Sequence, residues 1–491
     1  TAGGTTLHWL GTCLRMLPED FKVRTLYGQG LDWPLNYEEL MPYYDLAEHE
    51  IGVSADVNEQ QYLGIHFNPG YVYPMFKVPQ SYLDKTLAHA VKGMTVNLDG
   101  QTYPITVTST PQGRNSMPNP AYEGGKGYTP IGATYNPDLG QRCAGNTSCV
   151  PICPIQAKYN ALKTLTRTNA KNVDILTQAV ASQVLFDKAT GEITGIEYKA
   201  YPDQRSPVYQ TRVAKGTVYV LAAHAVENAK LLLASGVKSE SGLIGKNLMD
   251  HPVLITWGLT PEKVWGFRGP LSTSGIESLR GGSFRSKRAA YRIEIGNEGW
   301  NWAAGAPYTQ LINLVDNMNS FGRQLMASVN DSFTRQFRFG FLVEQLPEMS
   351  NMITIDPAYK DQIGNYRPVI YYNLSDYVRA GAASGLRVSD LIYQRIGARN
   401  FTQYDPSDGG YYTYLGQGYV FNGAGHFAGT HVMGTGKSNS VVNRDQKSWE
   451  HKNLYLVGCG SFPNMGTSNP TLTMTALTFM AAEAIMRDLK R

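Results

Sequence analysis

Cysteine is scarce: five in 491 residues, and an odd number. A secreted fold stapled by disulfides uses more of them, so a buried core has to hold this chain. Neither sign of charge dominates. Forty-four basic residues face 40 acidic ones, a net +4, which leaves no electrostatic footprint for nucleic acid or an anionic membrane. No run of about eighteen apolar residues occurs, so no spanning helix is expected. The nearest approach, TLTMTALTFMAAEAIMRDL, carries Glu483, Arg487 and Asp488 and reads as a buried C-terminal helix. Also lacking are an initiating Met, a targeting segment, internal repeats and low-complexity tracts. Strand–GxGxxG–helix, the loop that seats a diphosphate on a helix N-terminus, is missing too. GQGLDW and GCGSFP lack its third glycine and its flanks.

What is present is an ordinary globular composition, 42% hydrophobic and 11% aromatic. Length alone suggests about two to four domains. Apolar residues recur at helical spacing from Leu40 to Ile51. Residues 60–140, rich in Tyr, Pro, Gly and Asn, predict an irregular, partly β lobe. AKYNALKTLTRTNAK predicts a helix. VDILTQAVASQVLFD and EITGIEYKAY predict strands joined by KATG, and GTVYVLAAHAVENAKLLLASG a buried strand entering a helix. Residues 260–420 show alternating, aromatic-rich β texture with few helical signals. NLYLVGCG predicts one more strand before the final helix. The pieces 1–55, 141–255 and 425–491 thus compose an α/β domain, and 56–140 with 256–424 a second, sheet-rich one.

Several loops carry candidate chemistry. In GGTTLHW, Gly3 and Gly4 allow close approach of a ligand, and Thr5 and Thr6 offer hydroxyls; an ordinary turn would read the same way. GHFAGTHVMG places His426 among small residues, with His431 as its rival. GTSNPTLTMTAL places Asn469 before a helix, where it could equally serve as N-cap. GLIGKNLMDHP reads as a loop between domains. RCAGNTSCVPICP crowds Cys143, Cys149 and Cys153 into eleven residues. They could be cluster ligands, a disulfide pair or buried thiols; zinc would need a fourth ligand, and none is adjacent.

Taken in order, GGTTLHW, LDWPLNYEELMPYYDLAEHEIGV, VYVLAAHAVENAKLLLASG, GLIGKNLMDHP, HFAGTHVMG and NPTLTMTAL resemble the glucose–methanol–choline (GMC) oxidoreductases. The resemblance runs from the first residue to the last, and the region 260–420 is generic. It implies an FAD-binding α/β domain interleaved with an antiparallel-sheet substrate domain, and oxidation of an alcohol. His426 is implied as acceptor of the hydroxyl proton and Asn469 as its helper. An imidazole can take that proton as hydride leaves the adjacent carbon. An amide can orient the hydroxyl without competing for its proton. The helix start after Asn469 would favour negative charge on reduced flavin. Flavin contacts are implied for Gly3, Gly4, Thr5, Thr6, His8, Trp9, Ala181, Gly458, Cys459, Pro470 and Thr471. GGxxxHW is also similar to the segment that carries FAD covalently on histidine in pyranose oxidases, so His8 is either the attachment point or a residue packed near the ring.

CAGNTSCVPICP looks like the segment that binds a [3Fe–4S] cluster in large subunits of bacterial FAD-dependent glucose and fructose dehydrogenases. Three thiolates suit a cuboidal cluster lacking one iron. Gln156 departs from that branch, which has Gly there. The resemblance implies a sugar or polyol dehydrogenase that passes electrons through the cluster to a quinone, dye or cytochrome subunit. A small subunit and a periplasmic or membrane-associated setting through partners belong to the same expectation. An oxygen-using sugar oxidase is the rival, and a non-redox or inactive member of the fold the second. Family comparison also leads to the expectation that roughly a hundred residues with the GxGxxG unit precede Thr1, a length typical of such a βαβ unit.

Overall fold

The computed structural model describes residues 2–145, 149, 153–168, 172–266, 269–270, 272–297 and 311–490. Two apolar cores organise them. The first gathers residues distant in the chain: Leu17, Tyr44 and Ile51, then Leu221 and Leu232, then Met433, Leu456 and Leu477. The second collects Leu83, Leu87, Ile293, Phe339, Val388, Ile392 and Tyr419.

Around the first core, local signals decide the elements. Asn36 opens the helix Tyr37–Ile51 with a reciprocal cap. Its Oδ1 accepts the Glu39 N–H at 2.9 Å, and the Glu39 carboxylate accepts the Asn36 N–H at 2.9 Å, so two otherwise orphaned donors are satisfied. This helix packs on the C-terminal helix Thr471–Leu489, where the hydroxyls of Tyr44 and Thr473 lie 2.8 Å apart. That last helix is amphipathic rather than wholly buried: Leu472, Ala476, Leu477 and Met480 face inward, while Met486 and Leu489 are exposed. Strands Tyr219–Leu221 and Leu454–Leu456 pair in parallel, and the helix Ala225–Ala234 follows the first of them. Strands Ala179–Phe186 and Ile193–Ala200 form a hairpin. Asp187 makes its turn by accepting the N–H groups of Ala189 and Thr190, each at 2.8 Å. The helix expected from AKYNALKTLTRTNAK is confined to Ala161–Arg167, capped by Asn160.

The second core lies under an eight-stranded antiparallel sheet. Its central strands are Pro252–Leu259, Gln336–Val343 and Tyr291–Gly296. Here the expectation of few helices fails. Gly322–Phe333 is helical, and Asp376–Ile396 is a helix of 21 residues that lays Val378, Ala382, Val388 and Ile392 on the sheet. Glycine obscured the signal. A Cβ at Gly381 would stand 2.7 Å from that of Ala289, and one at Gly385 2.9 Å from the Phe341 ring. The glycines weaken helix propensity but let this helix approach the sheet closely. Among the described residues no helix is long and apolar enough to cross a membrane.

Candidate active site

Three loops run side by side where the two cores meet. Met249 and Ala428 exchange backbone hydrogen bonds at 3.0 and 2.9 Å, and the Gly429 and His431 N–H groups donate to the carbonyls of Cys459 and Gly460. Asp250 ties the first loop to the second. Its carboxylate accepts N–H groups from His251 at 2.7 Å, His426 at 2.8 Å and Gly425 at 3.1 Å. Burial raises the Asp250 pKa, and these donors oppose that rise.

The clamp sets two imidazoles together. His251 Nδ1 and His426 Nδ1 are 3.0 Å apart, with the rings at 88°. His251 is fully buried, and its Nε2 lies 3.0 Å from the Gly466 carbonyl oxygen. Burial, above all, pulls the His251 pKa down to about 4. It likewise holds His426 well below the ordinary histidine value, helped by His251 and Arg292. Both rings are therefore neutral at pH 7. His426 itself remains partly accessible. The GLIGKNLMDHP segment is thus part of the site rather than a mere connection.

Asn469 stands in the third loop, which is otherwise buried from Ser461 to Ser468. It is not the N-cap of the final helix; Pro470 occupies that position. Instead its Oδ1 accepts from Arg292 Nη1 at 3.3 Å. A guanidinium can only donate, so the amide oxygen is committed and the Nδ2 hydrogens stay available. Arg292 is held in turn by Glu277, at 3.2 and 3.3 Å. Arg280 fixes the same loop by donating to Thr467 Oγ1 at 3.0 Å and to the Arg15 carbonyl at 2.9 Å. Sequence reading passed over both arginines and His251. Arg292 alternates with Tyr291 and Ile293 along one strand, a pattern that normally marks a solvated face.

Gly3 to Leu7 make a tight turn in which Thr6 Oγ1 donates to the Gly3 carbonyl at 2.5 Å and accepts the Ala161 N–H at 2.9 Å. Thr5 and His8 are exposed, and Trp9 Nε1 donates to the Tyr159 carbonyl at 2.7 Å. Among the described residues no hydrogen bond or ring contact joins this turn directly to His426 or Asn469. Ala181 is exposed on its strand, opposite Tyr198. Gly458 has φ 107°, closed to most side chains, and a Cβ there would meet open space. Gly4 and Gly425, at φ 53° and 72°, are equally open. Bare backbone at each of these points admits close approach of a ligand, and Thr471 is the first residue of the final helix. Burial pushes the Cys459 thiol up to about 12, so it is no nucleophile.

His431 is not a competitor of His426. It is fully buried, its Nε2 3.2 Å from Asn228 Nδ2, and a Cβ on Gly460 would strike its ring at 2.1 Å. Burial lowers its pKa to about 4. A histidine depressed in this way adds stability that is whole above its unfolded value near 6.5 and is lost as pH falls toward 4. Thermal melts should show this. Acidification from pH 7.5 to 5 is expected to lower the Tm of wild type more than that of His431→Asn.

Cys143, Cys149 and Cys153 line one small cavity with Arg114 and Lys158. None of the three forms a disulfide. Among the described residues no three His, Cys, Asp or Glu side chains stand close enough for a single metal ion, and residues 146–148 and 150–152 lie outside that description. Arg114 is buried, and its Nε and Nη1 have no hydrogen-bond partner. Lys158 Nζ donates to the Trp9 and Cys149 carbonyls, and burial lowers its pKa to about 8. Gln156 has φ 50°, in the left-handed region that glycine fills freely. Its Oε1 accepts from the Thr134 N–H at 2.9 Å and the Thr134 hydroxyl at 3.1 Å.

Residues 81–253 and 347–478 each match a family description, GMC oxidoreductase. The chain is 32% identical to the fructose dehydrogenase large subunit of Gluconobacter japonicus, over 100% of this chain and 81% of that protein. It is 25% identical to the 2-methyl-1,2-propanediol dehydrogenase of Mycolicibacterium austroafricanum, over 99% and 80%. Among solved structures, pyridoxine 4-oxidase from Mesorbium loti superposes with a TM-score of 0.61 at 17% identity, over 97% of this chain and 82% of that one.

Proposed function

The chain belongs to the GMC oxidoreductase family, and from that premise we propose that it is an FAD-dependent dehydrogenase of a sugar or polyol hydroxyl. One observation carries the reading: an accessible imidazole and an amide with free N–H groups stand in adjoining loops, each oriented by a buried partner. A hydroxyl placed between them donates its proton to His426 and accepts from Asn469 Nδ2. His426 removes that proton as hydride leaves the carbinol carbon, and Asn469 steadies the oxygen. FAD supplies the hydride acceptor when bound. Gly4, Gly425 and Gly458 would offer it bare backbone, and the start of the final helix would favour the negative charge it gains on reduction.

The cysteine cavity completes the proposal. Three cysteines lining one cavity match the donor set of a polynuclear cluster. A [3Fe–4S] cluster on Cys143, Cys149 and Cys153 would supply a one-electron relay to an external quinone or cytochrome subunit. Buried Arg114 and Lys158 offset negative charge on the thiolates. The same reading places the enzyme on the periplasmic side with partner subunits. His8, exposed at the end of its turn, is the candidate for covalent flavin attachment; yellow colour that stays with the acid-denatured chain would establish the bond.

Anaerobic titration tests the whole. The purified protein is expected to be yellow, to bleach when fructose or a related sugar or polyol is added, and to contain about three irons per chain with a matching paramagnetic signal. A colourless protein, or a flavin that no sugar or polyol bleaches, overturns the reading. Bleaching without iron, with peroxide formed in air, leaves the alcohol chemistry and removes the relay.

A further inference from the structure

Resting on His426 as the base, the structure carries one step more. We infer that His251 is a positioning residue that fixes the ring tautomer of His426, leaving His426 Nε2 as the bare proton acceptor of the site. The chain of hydrogen bonds allows one assignment. A carbonyl oxygen only accepts, so His251 Nε2, 3.0 Å from the Gly466 oxygen, carries a proton. A neutral imidazole has one proton, so His251 Nδ1 is an acceptor. It faces His426 Nδ1 at 3.0 Å, which must therefore be the donor. The His426 proton lies on Nδ1, and its Nε2 keeps a lone pair. Among the described residues nothing else bonds that nitrogen, and it is not among the buried polar atoms left unsatisfied.

The alternative tautomer is the one an unassisted imidazole favours. With the proton on Nε2, His426 would present a donor to the hydroxyl and could take nothing from it. His251 therefore selects the productive form, as an orienting carboxylate does in serine hydrolases, where the wrong tautomer costs about four orders of magnitude in kcat. Here the orienting group is neutral. The charged groups near the pair are Arg280, Arg292, Glu344 and the Asp250 carboxylate that clamps both backbones. No carboxylate touches either ring among the described residues, so the selection comes from the buried Gly466 carbonyl, relayed through His251.

Nitrogen NMR on the flavin-loaded enzyme with 15N-labelled histidine reads the tautomer directly, the His426 signals being assigned by their loss in His426→Gln. The expected result at pH 7 is a protonated Nδ1 and a bare Nε2 on His426. A proton on Nε2 overturns the inference. In His251→Leu the Nε2–H form should grow, and kcat should fall about 10- to 1,000-fold with KM within about two-fold. His251→Asn returns an acceptor oxygen near the Nδ1 position and should recover a substantial part of kcat. Unchanged His426 signals in His251→Leu would also overturn the inference, whatever happens to turnover. Should His251→Leu fail to fold, the wild-type spectrum and the Asn variant still decide. A mistaken base shows elsewhere, as undiminished turnover in His426→Ala.

Discussion

Replacing His426 by alanine is expected to lower turnover by about two to four orders of magnitude while flavin content and Tm stay close to wild type. Abstraction of the hydroxyl proton is the step lost. Without a base, hydride would have to leave a neutral alcohol, whose oxygen cannot push electrons onto the carbon. Among the described residues the ring hydrogen-bonds to His251 alone, so its removal leaves a modest gap rather than a collapsed core. Added imidazole should restore part of the rate, as a small base diffusing into the space. Because burial and Arg292 hold the His426 pKa low, the base is already free well below pH 6.5, and the acid limb of kcat in wild type should lie on the acidic side of that value. Turnover in His426→Ala within about ten-fold of wild type would remove this residue from the role.

Arg285→Met is expected to be the most damaging single substitution for stability, costing about 3–5 kcal/mol. Arg285 is wholly buried and pairs with Asp20 at 2.9 Å, Glu19 at 3.1 Å and Glu344. Methionine preserves much of the volume but strands the Asp20 and Glu344 carboxylates in the core, where no water reaches them. Asp20 is the weak point. Burial, with Glu344 and Glu19 adding to it, already raises its pKa to about 6, and Arg285, ahead of Arg280, opposes the rise. Without the guanidinium the carboxyl escapes by taking a proton. The difference in Tm between variant and wild type should therefore be larger at pH 8 than at pH 5.5. An equal difference at both would show that Asp20 does not titrate in this way. Activity should suffer too, because a Cβ on Gly466 would lie 2.4 Å from Asp20: the carboxylate sits directly beneath the loop that presents Asn469.

How much of this was legible from sequence varied with the range of the interaction. The helical spacing from Leu40 to Ile51, the KATG turn and the last helix are decided by neighbours within a few residues, and pattern reading found them, though not the Asn36–Glu39 cap or the part Asp187 plays in the turn. The helix Asp376–Ile396 carried its apolar spacing openly, yet Gly381 and Gly385 masked it, because their purpose is contact with Ala289 and Phe341 about ninety and forty positions away. His426 and Asn469 were reachable through motif resemblance. Their partners were not. His251 is brought to His426 across 175 positions, and Arg292 to Asn469 across 177. No local rule marks Arg292 as inward-facing, since a charged residue alternating along a strand usually meets water. The Glu277 carboxylate, with Thr110 and Asn469 as further acceptors, explains why it can stay inside.

The threading of the first core has a consequence for biosynthesis. Leu17 and Tyr44 share a core with Leu472 and Leu477, so residues made earlier wait for residues made more than four hundred positions later. While the ribosome is still working, that apolar face has nothing to close on, and the long sequence separation makes closure slow once it begins. The nascent chain is thus a natural client of holding chaperones, and a truncation that removes only the final helix should yield inclusion bodies rather than a smaller soluble enzyme.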